Sequence, residues 1–292
     1  MQFLVVFLLF GTLAYAEDER QPSGYNSAYG YMKNIGIPEA ERIRKAEELG
    51  SRIVGGVPAA VGQYPFQAGI LGDIVQGGQA LTSVCGGSLI SASRVLTAAH
   101  CWNDGVNQAW RLTIVLGSIY LFSGGTRVET SAVAVHPSWN AVLTRNDVAV
   151  AYLPTPVSLS ATIASVALPS GPELFESFAG ERAIAIGFGI TSDSGSIPSN
   201  QLLSHVSVPV ITNSDCSWAF PLYIQSSNIC TSGLGGLGIC RGDGGGPLII
   251  NRDNRQLLIG VASFYSALGC QSGFPNAYAR VTSFMDFINS NI

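Results

Sequence analysis

Between residues 53 and 292 this chain contains no lysine; nine arginines face twelve acidic residues there, a net charge of −3. So mild a balance argues against nucleic acid or an anionic membrane as a partner. Lysine loses its proton near pH ~10.4, whereas arginine stays charged beyond ~12, so ion pairs built on arginine alone survive strongly alkaline fluid. The two lysines, Lys33 and Lys45, both lie upstream. An alkaline secreted compartment such as a gut lumen is therefore expected. Long apolar runs are also scarce. After the first sixteen residues none is long enough to span a bilayer, which predicts a soluble mature chain with no membrane partner. There is no Asn-X-Ser/Thr sequon, no tandem repeat and no low-complexity tract.

What is present divides into three parts. Residues 1–16 read as a secretory signal, with an apolar run over 3–10 and a small-residue cleavage pattern at Ala14-Tyr15-Ala16, followed at once by Glu17-Asp18-Glu19. Residues 17–52 are polar and charged and read as an activation prosegment. Within it Pro38 suits a first helical turn, Ala40, Ile43, Ala46 and Leu49 recur at three-residue spacing, and Gly50 is a stop signal, so residues 38–49 are predicted helical. So short a helix is marginal alone, and two outcomes stay open: a helix docked on the rest of the chain, or a solvated leader. Residues 53–292 form one domain. Short apolar runs rich in β-branched residues (88–90, 112–116, 128–135, 147–153, 182–186, 202–210, 247–250 and 257–263) are separated by Gly, Ser, Asn and Pro, the pattern of an all-β barrel or sandwich. Val281, Phe284, Met285 and Ile288 then predict one C-terminal helix over 281–291, packed on the second half of the domain. All six cysteines fall in this domain, and an even count in a secreted chain favours disulfides while leaving their pairing open.

Five segments carry a family resemblance. Arg52-Ile53-Val54-Gly55-Gly56, Thr97-Ala98-Ala99-His100-Cys101, Asn146-Asp147-Val148-Ala149-Val150, Cys240-Arg241-Gly242-Asp243-Gly244-Gly245-Gly246-Pro247 and Val261-Ala262-Ser263-Phe264 occur in that order. Together they resemble the chymotrypsin-like (trypsin family) serine proteases, from Ile53 to nearly the C-terminus. The run Phe274-Pro275-Asn276-Ala277-Tyr278-Ala279-Arg280-Val281 and the leader look similar to insect digestive chymotrypsins. The resemblance implies an all-β fold of two six-stranded antiparallel β-barrels with a C-terminal helix and a cleft between the barrels. It also implies the disulfides Cys85–Cys101, Cys216–Cys230 and Cys240–Cys270. By the same resemblance His100 is the general base, Asp147 fixes its tautomer, and Ser263 supports Asp147. Cleavage after Arg52 by a trypsin-like protease would free the Ile53 amine to pair with Asp243. No cysteine lies in residues 17–52 to tether a severed leader.

The departure is Gly244. Acyl transfer needs a nucleophile, a base, a group that orients the base, and donors for the oxyanion. Gly244 stands where the family carries its nucleophilic serine, and it has no side-chain oxygen. The oxyanion donors would be the backbone N–H groups of Gly242 and Gly244, which glycine retains. A zymogen-like secreted homologue that binds peptide substrates or protease-inhibitor loops without cutting them is expected; the alternative is a weakly or variant-dependently active endopeptidase. Gly238, six residues before Gly244, would form the floor of a specificity pocket lined by Ile239, Ser263 and Phe264, suited to an apolar or aromatic side chain. Tyr265 and Asn276 stand where the family often has glycine, and Tyr265 in that position would cap the pocket. Residues 118–128 lack the carboxylate pair of the calcium loop found in some relatives. No metal or cofactor is expected, and the resemblance implies a monomer.

Overall fold

The computed structural model describes residues 27–49, 57–190, 193 and 202–292. The expected signal at 1–16 and the expected scissile bond between Arg52 and Ile53 lie outside the described residues. Fourteen strands are found among them: β1 (Val57–Pro58), β2 (Gln67–Gln76), β3 (Gln79–Ser91), β4 (Arg94–Thr97), β5 (Arg111–Leu116), β6 (Thr126–Thr130), β7 (Val133–Val135), β8 (Ala149–Tyr152), β9 (Arg182–Gly187), β10 (Ser204–Ile211), β11 (Asn228–Thr231), β12 (Pro247–Arg252), β13 (Arg255–Phe264) and β14 (Asn276–Arg280). Every pairing is antiparallel, in two barrel-like sheets ordered β6-β5-β2-β3-β4-β8-β7 and β1-β10-β11-β14-β13-β12-β9.

Each sheet counts seven strands rather than six, for different reasons. In the first, β6 and β7 are one run interrupted at Ser131-Ala132; its first part pairs with β5 and its second with β8, so one bent strand carries the sheet round. In the second, β10 pairs with β9 as well as β11, which closes the sheet, and two-residue β1 is added at the edge. Turn chemistry sets the registers. Gly77-Gly78 joins β2 to β3 with both φ positive, and Asp253-Asn254 does the same between β12 and β13. Two left-handed residues make the tight turn whose twist matches that of paired strands. Between the sheets lies a continuous core to which Ile70, Leu89, Leu96, Ile114 and Val150 contribute from the first, and Ile229, Leu248, Leu258 and Tyr278 from the second.

The three disulfides pair as the resemblance implied. The C-terminal segment differs from a single helix. Residues Val281–Phe284 are a tighter 3₁₀ turn, and only α3 (Met285–Asn289) is α-helical, after α1 (Ile37–Leu49) and α2 (Asn213–Ala219). It rests on the first sheet as well as the second. Arg94 Nε donates to the Asn291 carbonyl at 2.8 Å while its guanidinium covers the Tyr152 ring, and Phe284 meets His136 edge-on.

Alkaline behaviour follows from the buried side chains. Burial raises the hydroxyls of Tyr31, Tyr265 and Tyr278 above their ordinary value. The fold therefore keeps protons that the unfolded chain gives up near pH ~10, so this stabilisation is complete below pH ~10 and is lost above it. Arg111 and Arg252, each held by two carboxylates, stay charged throughout. A melting temperature that is level between pH ~8 and ~10 and falls beyond is expected by calorimetry; a collapse inside that window would contradict it.

Candidate functional site

The residues singled out by sequence converge where the two sheets meet. β4 ends at Thr97, whose hydroxyl donates to the Gly86 carbonyl at 2.7 Å. Ala98 stays extended, and the 3₁₀ turn Ala99–Cys101 that follows carries His100, braced through Cys101 to Cys85 on β3. Asn146 is left-handed (φ 57°), a conformation a short polar side chain tolerates, and this turn aims Asp147 inward just before β8. Ser263 arrives from β13.

Asp147 is 2 % exposed and takes three donors. Its Oδ1 accepts the His100 backbone N–H at 3.0 Å, and its Oδ2 accepts His100 Nδ1–H at 2.7 Å and the Ser263 hydroxyl at 2.6 Å. An acidic acceptor on Nδ1 holds the neutral imidazole in the tautomer whose Nε2 carries a lone pair. That Nε2 is buried with no hydrogen-bond partner among the described residues, and it points at Gly244.

Gly244 sits among three consecutive glycines that differ in what they require. A Cβ on Gly245 would meet the Gly86 carbonyl at 2.4 Å, and one on Gly246 the Ile186 carbonyl at 2.8 Å, so backbone forbids both. Gly244 is not left-handed, unlike Gly242 and Gly245. Its added Cβ would meet only side chains: His100 Nε2 at 2.5 Å and Tyr31 Cε2 at 3.2 Å. Glycine is therefore not imposed at 244 by a tight loop; what fills the space is the imidazole and a tyrosine of the leader.

The leader is docked, not solvated. Helix α1 runs one residue longer than predicted, buries Ala40, Ile43 and Ala46 and leaves Glu41 and Lys45 exposed. Before it, residues 27–36 cross the site; Met32–Gly36 is a π-type turn that the sequence did not signal. The Tyr31 ring packs against His100 with centroids 4.6 Å apart and planes tilted by 52°, and His100 is fully buried. Glu39 lies beside Gly242 and forms an ion pair with Arg241.

Of the residues expected to form a specificity pocket, Gly238 and Asn276 lie against each other. A Cβ on Gly238 would lie 2.1 Å from Asn276 Nδ2, and that carboxamide, 1 % exposed, has no hydrogen-bond partner among the described residues. Asn276 thus occupies the floor that a glycine there would leave open. Ile239, Phe264 and Tyr265 are all buried, and the Tyr265 N–H donates to the leader's Ser27 hydroxyl at 3.2 Å.

Beside this site is a cavity of about 500 Å³ lined by Ala185, Gly187, Ile190, Val206, Ile239 and Asp243. The Asp243 carboxylate accepts the N–H groups of Gly189 at 2.7 Å and Cys240 at 2.8 Å. Burial nevertheless pushes it up to about 6, partly offset by those two donors. With its folded value above its unfolded one, Asp243 favours the fold most below pH ~4 and withdraws that support as pH rises to ~6. Uncleaved chain is expected to melt lower at pH 6.5 than at pH 4.5 through this group, with the difference reduced in Asp243→Asn. Both clusters of close metal-ligating atoms among the described residues, around Cys85–Cys101 and Cys240–Cys270, use disulfide sulfurs, which are not available to an ion.

A family model described as Trypsin matches residues 53–288. Brachyurin of Leptuca pugilator is 38 % identical over 241 residues, covering 82 % of this chain and 97 % of its own. Collagenase of Hypoderma lineatum is 37 % identical over 241 residues, covering 82 % and 87 % respectively. The solved structure of HL collagenase matches with a TM-score of 0.73 at 36 % identity, over 82 % of this chain and 98 % of that one.

Proposed function

From the premise that this chain belongs to the trypsin family of chymotrypsin-like serine proteases, we propose that it is a non-catalytic member, secreted in a zymogen-like form, which binds peptide or inhibitor loops without cutting them. One observation carries the reading. The lone pair of His100 Nε2 is buried with no donor to accept from among the described residues, and the residue it faces, Gly244, has no hydroxyl. His100 is the base and Asp147 its orienter, with Ser263 in support, while the nucleophile is missing.

Activation has its parts. Residues 1–16 direct secretion and a trypsin-like protease cuts after Arg52. The Ile53 amine then enters the cavity beside Asp243, whose carboxyl is pushed up to about 6 by burial. A buried carboxylate left alone costs several kcal/mol and an amine beside it offsets that, so the pair acts as a switch. The N–H donors of Gly242 and Gly244 and the cleft walls then serve binding alone, in a monomer suited to an alkaline gut lumen. The test is calorimetric titration of the cleaved chain with a substrate-like loop inhibitor carrying an aromatic contact residue. Stoichiometric binding with the loop intact after a day is expected; no binding at any ratio refutes the reading.

A second reading is favoured by the retained His100–Asp147–Ser263 network and by the collagenase relative. In it the chain is a serine-type endopeptidase of weak or variant-dependent activity, with water in place of the missing hydroxyl.

A further inference from the structure

The described part of the leader, residues 27–49, is tied to the rest of the chain at several points. The Gly30 N–H donates to the Asp104 carbonyl at 3.1 Å and the Met32 N–H to Asp104 Oδ2 at 2.7 Å. Ala28 is fully buried against Phe264 and Phe220. At the far end Glu47 accepts the N–H groups of Leu121 at 2.6 Å and Phe122 at 3.0 Å and the Ser123 hydroxyl at 2.9 Å. At the middle is Tyr31, 2 % exposed.

Every part of the Tyr31 side chain has a partner. Its ring lies on the His100 imidazole and over Gly244, in the volume a side chain at 244 would take. Its hydroxyl donates to the Val84 carbonyl at 3.0 Å. A phenol offers one donor, one acceptor and a flat apolar body. The site supplies an acceptor, the Val84 carbonyl, and a space beside an imidazole and a bare glycine backbone.

We infer that the surface framed by His100, Gly244 and Val84 is a phenol-binding site, filled in cis by Tyr31, and that an outside peptide enters it with a tyrosine side chain once the leader is displaced. This deepens the peptide-binding reading above and rests on it for the outside partner. It gives the missing side chain at 244 a consequence beyond lost attack: the space it vacates holds a ring. Phenylalanine would fill the space and leave the buried Val84 carbonyl without the hydroxyl that now donates to it, so the site discriminates by hydroxyl.

The test uses the full-length chain and requires no turnover, so it can fail while the peptide-binding reading stands, and the reverse. Tyr31→Ala removes the ring, and phenol and benzene are titrated as probes by calorimetry and thermal shift. Phenol is expected to bind Tyr31→Ala at least tenfold more tightly than benzene, a gap of about 1.4 kcal/mol. The unaltered chain is expected to bind neither probe at this position, and Tyr31→Ala/Gly244→Val is expected to lose phenol by tenfold or more. Equal binding of the two probes, phenol binding indifferent to Gly244→Val, or no binding would each overturn the inference. If Tyr31→Ala does not fold, Tyr31→Phe decides: hydrogen exchange of the α1 amides is expected to accelerate about tenfold over the unaltered chain, and unchanged exchange overturns it.

Discussion

Cleaved after Arg52 and freed of its leader, the Gly244→Ser chain is expected to hydrolyse aromatic peptide substrates, whereas the same variant left uncut is expected to be silent. In other proteases of this mechanism, loss of the serine alone costs ~10⁶ in turnover and leaves ~10³–10⁴ over water. Returning the hydroxyl here places it beside an imidazole already held in the needed tautomer by Asp147. The gain is expected to be on the order of 10³ rather than the full ~10⁶, for two reasons visible in the structure. The new Cβ falls 2.5 Å from His100 Nε2, so the ring must retreat, and Asn276 occupies the pocket floor at Gly238. The uncut chain has the further obstacle of Tyr31, whose ring lies 3.2 Å from the same Cβ. Initial rates on an aromatic anilide at pH ~8 measure this. A cleaved variant no faster than the unaltered chain would mean that the cleft no longer presents a peptide bond to residue 244.

The largest loss of stability is expected from Asp147→Ala. Three donors converge on this carboxylate: the His100 N–H, His100 Nδ1–H and the Ser263 hydroxyl. Alanine leaves all three buried and unpaired, and breaking such a network costs about 3–5 kcal/mol. At about 2–4 °C per kcal/mol for a domain of this size, the melting temperature should fall by roughly 6–20 °C. Differential scanning calorimetry measures it, and a fall of less than ~2 °C would show that Asp147 does not hold the site together. If the chain has no acyl-transfer chemistry to perform, this structural work is what the network still does.

The parts of the site legible in the sequence were those carried by local runs. His100 was readable because the residues around it set the turn, and Asp147 because it precedes a strand. The α1 helix was legible in the spacing of Ala40, Ile43 and Ala46, since one apolar stripe needs no knowledge of its partner. Its docking was not, because Ser27 meets Tyr265 across 238 positions and Tyr31 meets Val84 across 53. Nothing local to Tyr31 marks it as the ring that covers His100. Asn276 was read as a pocket wall, but its reach over Gly238 depends on the packing of β14 beside β11 and β13. The turns at Gly77-Gly78 and Asp253-Asn254 are readable by type, and the first marks where β2 ends and β3 begins. The split of the C-terminal segment into a 3₁₀ turn and a short helix follows from contacts to Arg94 and His136 that helical periodicity alone does not report.

The account stands or falls on whether the natural chain turns over substrate. The decisive measurement is the hydrolysis rate of the chain cleaved after Arg52, on an aromatic peptide substrate at pH ~8 and ~10, against its His100→Ala variant prepared identically. Equal rates, at the level of the uncatalysed reaction, are expected, because a base with no hydroxyl to deprotonate has no attack to assist. A natural chain that is clearly faster than its His100→Ala variant would contradict the account and establish a working peptidase in which His100 activates some other nucleophile.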